Sequence, residues 1–373
     1  MKYSNYTYFI GGTYIMFSKD NKASIGIALA YLSFIVGAGF TTGQELLQFF
    51  VNHGNYGYIA AIITSIIVTF GTRQISKLGY RVDADSYDIS LNNLFGNIMG
   101  KIIDFLIIFF LFGLTVVMVA GGGSALNQGF DIPIWIGSLA IVILLFVVLQ
   151  LKFDKILAVL GTVTPFLVIA VLIIAGTNII NPTISFSEVS QHIEPSRASS
   201  PFWWWDEIIY GGLIIGNSFS FLTIVGNDAN NHKIAGRGAY FGGLAFSVLL
   251  IIMVAGLLAN IGNANKVDIP TLLLANDIHP IIGILISLVM FAVIFNSCIG
   301  MLYPFLNRFT SPGSKAYVLL LAVSLILAYV LSFVGFVDLV NFVFKVVGYL
   351  GLFITLALLV RWIQNKFTKK KLI

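Results

Sequence analysis

The sequence predicts an all-α integral membrane protein with about ten transmembrane helices. Hydrophobic residues make up 58% of the 373 residues, charged residues only 10%, and the mean hydropathy is +0.94. Soluble domains of this size do not reach such values. About 20 apolar residues cross the hydrocarbon core. Runs of that kind lie at about 24–51, 56–79, 98–122, 133–151, 155–179, 204–226, 238–261, 279–305, 316–334 and 337–363.

The basic residues are divided unevenly between the two sides of the predicted membrane. Most of the 21 Lys and Arg residues lie in the termini and in the loops that share their side. The opposite side has only Arg197 and Lys266 outside the spans. The positive-inside rule therefore places both termini in the cytoplasm. This topology accounts for the pI of about 9.1, so we expect no nucleic-acid partner.

The spans divide into two halves of similar length, with the loop 180–203 between them. Because each half has five spans, the second half must enter the membrane in the opposite orientation. Such inverted repeats are common in transporters. The predicted organisation is a cytoplasmic segment at 1–23, a first five-helix repeat at 24–179, the extracellular loop 180–203, a second, inverted five-helix repeat at 204–363 and a basic cytoplasmic tail at 364–373.

The first span contains glycines close to its middle, at Gly37, Gly39 and Gly43, and a polar segment follows them. A helix in lipid tolerates a break only where the freed backbone groups line a cavity or bind a ligand. The sixth span has similar residues at 210–220. Glycine also allows neighbouring helices to pack closely. We predict this packing role for Gly348 and Gly351 in the tenth span. Two matching breaks favour discontinuous first and sixth helices with a binding site between them.

This pattern predicts a site for a small zwitterion. A half-helix that begins near Thr41 would direct N–H groups toward a carboxylate, and one that ends near Val36 would direct carbonyl oxygens toward a cation. The predicted substrate-binding residues are Gly37, Ala38, Gly39, Phe40, Thr41, Thr42, Gly212, Gly216, Asn217, Ser218 and Ser220.

The stretch from Gly37 to Glu45 resembles the first-span signature of the bacterial YkvI-like membrane proteins. These proteins are similar to the amino acid–polyamine–organocation superfamily, whose members share the LeuT fold of five plus five inverted spans. The resemblance implies secondary transport, commonly of amino acids or related amines, in a bacterial cytoplasmic membrane. It also implies that the backbone at 36–39 and 212–218 lines the substrate site.

The same resemblance implies a place for a coupling ion. LeuT-like sodium carriers bind sodium between first-span carbonyls and a hydroxyl pair on the eighth span. The eighth span here has Asn296 and Ser297 instead of two hydroxyl residues. Oxygen ligands suit a hard cation, so Val36 and Ser297 are candidate sodium ligands. The alternative is that Asn296 and Ser297 form hydrogen bonds between helices.

Two charged residues within the spans are further candidates for ion coupling. Intramembrane charges are costly and mark function by default. Glu45 could carry a coupled proton, recognise a substrate amine, or be a structural carboxylate held by Gln44, backbone donors or a basic side chain. Lys345 shares a helix face with Asp338 and Asn341. We expect it to form a buried ion pair or gate, with proton coupling as the alternative.

These observations predict a secondary active transporter that moves a small zwitterionic solute, an amino acid or related amine, by alternating access coupled to Na⁺ or H⁺. The alternative is a receptor or sensor on a transporter fold. The candidate acid, base and metal-ligating residues are scattered over distant spans, so we expect no enzyme activity and no cofactor beyond the coupling ion. The expected partners are the small-molecule substrate and the lipid bilayer, without an obligate protein partner.

Overall fold

The computed structural model of the protein describes residues 9–10, 13–14, 19–267, 269–334 and 336–368. Most of the predicted N-terminal segment 1–23, and residues 369–373 of the predicted tail, lie outside these residues. A short antiparallel pair comes first, with strand β1 (Phe9–Ile10) beside strand β2 (Thr13–Tyr14) and Phe9 opposite Tyr14.

The rest of the described chain is helical apart from its connecting loops. The helices are α1 (Lys19–Ile35), α2 (Ala38–Thr42), α3 (Gln44–Phe49), α4 (Tyr56–Arg81), α5 (Tyr87–Phe95), α6 (Asn97–Phe130), α7 (Ile134–Val148), α8 (Phe153–Ile180), α9 (Trp203–Asn227), α10 (His232–Leu258), α11 (Ile261–Ala264), α12 (Pro270–Ile278), α13 (Pro280–Phe309), α14 (Lys315–Leu331) and α15 (Phe336–Thr368). Short 3₁₀ turns occupy Val51–His53, Val189–Gln191, Pro195–Arg197 and Ser332–Val334.

In the described part of the chain, 8 helices are long and apolar enough to cross a membrane, which makes the protein a multi-pass membrane protein. They are α4, α6, α8, α9, α10, α13, α14 and α15. The other two predicted spans are shorter as helices. The run 24–51 is divided among α1, α2 and α3, and 133–151 contains the 15-residue helix α7. The count of ten crossings and the inverted repeat stay predictions.

The ends of successive long helices alternate between two sides of the bundle. The start of α1 at Lys19, the end of α4 at Arg81 and the end of α15 at Thr368 lie on one side, which we call the basic side. The connection 181–202 lies on the other, which we call the far side. The assignment of the basic side to the cytoplasm stays a prediction.

The first span is interrupted at two places. Helix α1 ends at Ile35, and Gly37 adopts an extended conformation with φ −89° and ψ −164° before α2 begins. Gly43 then separates α2 from α3 in the left-handed conformation, with φ 82° and ψ −4°. A side chain would strain the backbone at Gly43, whereas glycine does not. The run therefore bends at both ends of the five-residue helix α2.

The sixth predicted span has no such interruption, and the prediction of a discontinuous sixth helix is wrong. Helix α9 is continuous over Trp203–Asn227. Its glycines instead allow α15 to approach closely, because a Cβ on Gly212 would meet the carbonyl of Gly348 and one on Gly216 would lie 3.1 Å from the Cα of Gly351. Small residues serve this purpose in membrane helices. Gly212 and Gly216 are therefore packing residues.

Candidate functional site

Helix α9 runs beside the interrupted first span and contacts it on both sides of the break. The hydroxyls of Tyr31 and Ser218 lie 2.8 Å apart. The rings of Phe34 and Phe221 have centroids 4.5 Å apart. Beyond the break, the rings of Phe49 and Phe50 lie 5.2 and 4.8 Å from that of Tyr210. Two aromatic clusters thus bracket the middle of α9.

Helix α13 reaches the first span from another direction. The Ser297 hydroxyl donates a hydrogen bond of 2.7 Å to the carbonyl of Phe34. The Asn296 amide donates to the Ser33 hydroxyl at 2.6 Å and to the carbonyl of Leu160 in α8 at 3.0 Å. The interhelical hydrogen bonds that were the alternative to a cation site are therefore present.

These hydrogen bonds still leave oxygen atoms next to the break. A Cβ on Gly37 would lie 3.3 Å from Ser297 Oγ, so the hydroxyl is close to the extended backbone there. Asn296 Oδ1 is buried and, among the described residues, has no hydrogen-bond partner. The Ser297 hydroxyl bonds to the carbonyl of Phe34, whereas the predicted sodium ligand in the first span was Val36. A sodium ion at Val36 and Ser297 stays a prediction.

The polar residues of α9 differ in their hydrogen bonding. Ser218 is satisfied, since its hydroxyl lies 2.5 Å from the carbonyl of Ile214 and also contacts Tyr31. Asn217 Oδ1 and Ser220 Oγ are buried without a partner in the described structure. Buried polar atoms in proteins are nearly always paired with protein or water. Among the predicted substrate-binding residues, these two therefore remain candidates for contact with a ligand.

The polar side chains after the break are held locally. The Thr41 hydroxyl donates to the carbonyl of Gly37 at 2.9 Å, and the Thr42 hydroxyl accepts from the N–H of Gln44 at 3.3 Å. Phe40 is buried against Phe246, with ring centroids 5.6 Å apart. Ala38 and Gly39 are described only as backbone of α2, and their surroundings lie outside the described residues.

Glu45 is a buried carboxyl group with one identified partner. It is 6% exposed, and Oε1 accepts a hydrogen bond of 2.7 Å from the hydroxyl of Tyr210. Across the described ranges, no Lys, Arg or His lies within ion-pair distance of it. A buried carboxylate without a cation is costly. The group is therefore stable when it is protonated or when a ligand supplies positive charge.

Lys345 is exposed on the far side, and the expectation that it lies deep in the bundle is wrong. Its ammonium group donates a hydrogen bond of 2.9 Å to the carbonyl of Ser199, in the connection between α8 and α9. A long side chain can extend toward the polar end of its helix in this way. The side chains of Asp338 and Asn341, its predicted neighbours, lie outside the described residues.

A cavity of about 710 Å³ opens on the far side, and we call it the far-side cavity. It is lined by Asn52, His53 and Trp203 among others. Beneath it, His53 Nε2 lies 2.9 Å from Asp206 Oδ2. Sequence reasoning missed this pair, because 153 residues separate its members and neither belongs to a motif.

A second cavity of about 530 Å³ opens on the basic side, and we call it the basic-side cavity. It lies between α1, α8 and the end of α9, and its lining includes Ile27, Asp154 and Asp228. Asp228 follows the last residue of α9, outside the spanning helix. Burial, reinforced by the negative charge of Asp154, raises the pKa of the Asp228 carboxyl above its usual range.

This shift predicts the effect of Asp228→Asn on stability. A carboxyl whose pKa is higher in the folded state stabilises the protein in acid, and that contribution is lost as pH rises from about 3.9 through the folded value. At pH 7 the variant should therefore melt at a higher temperature than the parent, and the difference should vanish near pH 4. Asp277→Asn, at an exposed site in α12, controls for the lost charge. Identical parent and Asp228→Asn curves at both pH values would contradict the prediction.

Two proteins of Bacillus subtilis (strain 168) are similar to the chain along most of its length. The uncharacterized membrane protein YkvI is 28% identical over 335 residues, which cover 87% of this chain and 92% of YkvI. The uncharacterized protein YyaD is 26% identical over 346 residues, which cover 93% of this chain and 99% of YyaD. The chain is a homologue of both, which confirms the resemblance to YkvI-like proteins. No protein-family model matches the sequence.

Two solved structures that are similar to the chain are transporters of the LeuT fold. MhsT in complex with L-phenylalanine gives a TM-score of 0.69 at 16% identity, covering 91% of this chain and 89% of MhsT. A variant of the Eremococcus coleocola manganese transporter gives 0.59 at 18% identity, covering 91% and 78% of the two chains. At these identities the likeness shows the fold. The expected LeuT-like fold is supported in its coarse form, as an all-helical membrane protein.

Proposed function

We propose that the protein is a secondary active transporter that moves a small solute between the far-side and basic-side cavities by alternating access. The observation that supports this is the position of the two cavities. They lie at opposite ends of the same two elements, the first span and α9. The aromatic clusters around Phe34 and Tyr210 lie between them, and Phe34 and Tyr210 are both fully buried. A solute can cross only if both clusters open, and alternating access requires that they open one at a time.

The interruptions of the first span supply hinges for such a movement. Gly37 lies between α1 and α2, and Gly43 lies between α2 and α3, so α1 can tilt without moving α3. Hinges of this kind are a few residues at element ends that absorb the change in backbone angles. Tilting α1 would separate Phe34 from Phe221 and open the basic-side cavity. Because α9 is continuous, we assign the hinges to the first span alone.

The chemistry between the two aromatic clusters favours a solute with an ammonium group. Asn217 Oδ1 is an unpaired acceptor, and Glu45 is a buried carboxyl without a cation in the described chain. The Asn217 oxygen suits a positively charged donor, and the Glu45 carboxylate does so as the alternative to carrying a proton. The fold neighbour MhsT has been solved with L-phenylalanine, which supports an amino acid as the solute. The backbone N–H groups at the start of α2 would then receive its carboxylate.

For the coupling ion we favour a proton carried by Glu45. A proton neutralises the buried carboxyl. When the proton leaves, the carboxylate must gain water or a positive charge, because a buried charge without a partner is costly. Sodium is the second candidate, and Asn296 Oδ1 and Ser297 Oγ beside the first-span break favour it. Substitutions at Glu45 and Ser297 have different expected effects under the two kinds of coupling.

The proposal can be tested by chemical labelling, because the chain has a single cysteine, Cys298, which is buried. In a Cys298→Ala background, Ala158→Cys places a thiol in the basic-side cavity and Ser190→Cys places one in the far-side cavity. Both positions are exposed. Solutes that bind are first identified by thermal stabilisation with a panel of amino acids and amines, each measured in sodium and in choline at two pH values.

A bound solute should slow labelling at one position and accelerate it at the other, about tenfold if it shifts the conformational equilibrium by about 1.4 kcal/mol. The same solute should also show counterflow in proteoliposomes. Binding without counterflow would identify a receptor instead. Labelling that changes in the same direction at both positions would contradict alternating access.

A further inference from the structure

Four basic side chains form a cleft where α4 and α15 end on the basic side, and we call it the basic cleft. Arg73, Lys77 and Arg81 follow one another at intervals of four residues on α4, and Lys366 faces them from α15. The cleft has a volume of about 280 Å³. Residues four apart lie on one helix face, where like charges repel. The arrangement concentrates positive charge in one concave site.

No carboxylate of the described chain lies within ion-pair distance of these four side chains. Elsewhere on the same side the chain does neutralise a cation, since Arg308 contacts Asp104 at 2.7 Å and Asp88 at 3.8 Å. The carbonyl end of α4 offsets part of the charge of Arg81, but this effect is confined to the last turn. Arg73 lies two turns earlier. The cleft therefore lacks the anion that its charge requires.

A second concavity continues from the cleft along the outer surface of the bundle, and we call it the lateral groove. It has a volume of about 520 Å³ and shares Arg73, Gln74 and Trp362 with the basic cleft. Its walls come from α4 and α10, with exposed apolar side chains such as Ile66 and Val248. From Ile62 to Arg73 the groove follows α4 for roughly 16 Å, about the thickness of one hydrocarbon leaflet.

We propose that the basic cleft and the lateral groove together bind an anionic phospholipid of the leaflet on the basic side. The phosphate lies among the four cations, and an acyl chain lies in the groove between α4 and α10. An amphiphile matches this site because polar and apolar parts meet at Arg73, whose guanidinium carbon also lies 5.8 Å from the centre of the Tyr240 ring. Basic pockets between membrane helices are suited to anionic headgroups. This proposal does not depend on the transport function.

The test uses the full-length protein in an uncharged detergent, with melting temperature as the readout. Phosphatidylglycerol is titrated in mixed micelles, and phosphatidylcholine, inorganic phosphate and glycerol 3-phosphate are titrated in parallel. We expect stabilisation by phosphatidylglycerol only. The cleft variant combines Arg73→Gln, Lys77→Gln and Arg81→Gln and should bind phosphatidylglycerol about 100-fold more weakly. Lys366→Gln, a single change on the other helix, should weaken binding about fivefold.

A matched variant separates the cleft from general surface charge. Lys101→Gln, Lys152→Gln and Lys155→Gln remove three exposed cations from the same side, away from the cleft, and should leave phosphatidylglycerol binding unchanged. An equal loss in this variant would overturn the proposal. Equal stabilisation by phosphatidylcholine would overturn it also. Stabilisation by inorganic phosphate or glycerol 3-phosphate at the same concentration would identify a free-anion site and overturn the lipid assignment.

Discussion

Replacement of Gly351 by alanine is expected to destabilise the protein by about 3 kcal/mol or more. A Cβ at this position would overlap the carbonyl of Gly212 and lie 2.6 Å from the N–H nitrogen of Gly216. Both obstacles are backbone atoms of α9, so no change of rotamer can relieve the contact. The helices must separate, and the contacts between α9 and α15 are lost. Thermal or denaturant unfolding in detergent measures the effect.

Gly113→Ala in α6 and Gly176→Ala in α8 are matched controls, because a Cβ at either position would meet nothing within 4 Å. Alanine is the better helix former by about 1 kcal/mol. Both controls should therefore unfold at the parent temperature or slightly above it. If Gly351→Ala unfolds at the same temperature as these controls, the close approach of α9 and α15 is wrong.

The glycines show how far sequence reasoning reaches in this protein. In the first span the prediction identified Gly37, Gly39 and Gly43. Gly37 and Gly43 have non-helical backbone angles, whereas Gly39 lies inside helix α2. In α9 the same residue types lie in a regular helix. Glycine permits both a break and a close approach, so the local sequence cannot separate them. The pair Gly348 and Gly351 on the tenth span could have indicated close packing, because small residues on two helices allow those helices to approach each other.

The contacts of the candidate site divide in a similar way. The approach of the eighth span to the first was implied by the family resemblance, and Ser297 does bond to Phe34. The partner of Glu45 was not predicted, because Tyr210 lies 165 residues away and its position depends on the register between two helices. Periodicity gives the buried face of a helix but not the residue that faces it. The exposure of Lys345 depended on the path of the far-side connection, which sequence patterns do not determine.

Glu45→Gln is expected to abolish accumulation of the solute driven by a pH gradient. An amide of the same shape still accepts the hydrogen bond from Tyr210, so the variant should fold, but it cannot take up or release a proton. Exchange of labelled for unlabelled solute at equal pH should continue, because it requires no net proton movement. Tyr210→Phe is the matched control. It removes one hydrogen bond, worth about 1 kcal/mol, and should lower the rate about fivefold while coupling remains.

Proteoliposome uptake under imposed gradients distinguishes the two coupling ions. If a proton is coupled, Glu45→Gln loses pH-driven uptake and Ser297→Ala retains it. If sodium is coupled, a sodium gradient drives uptake and a pH gradient does not. Ser297→Ala then loses sodium-driven uptake, because the hydroxyl beside the Phe34 carbonyl is a ligand, and Glu45→Gln retains it, because the carboxyl is not required to titrate. Full pH-driven accumulation by Glu45→Gln would contradict the role of this carboxyl as the proton carrier. It would leave Glu45 as a group that binds the ammonium of the solute, and the same variant should then show a raised KM in exchange.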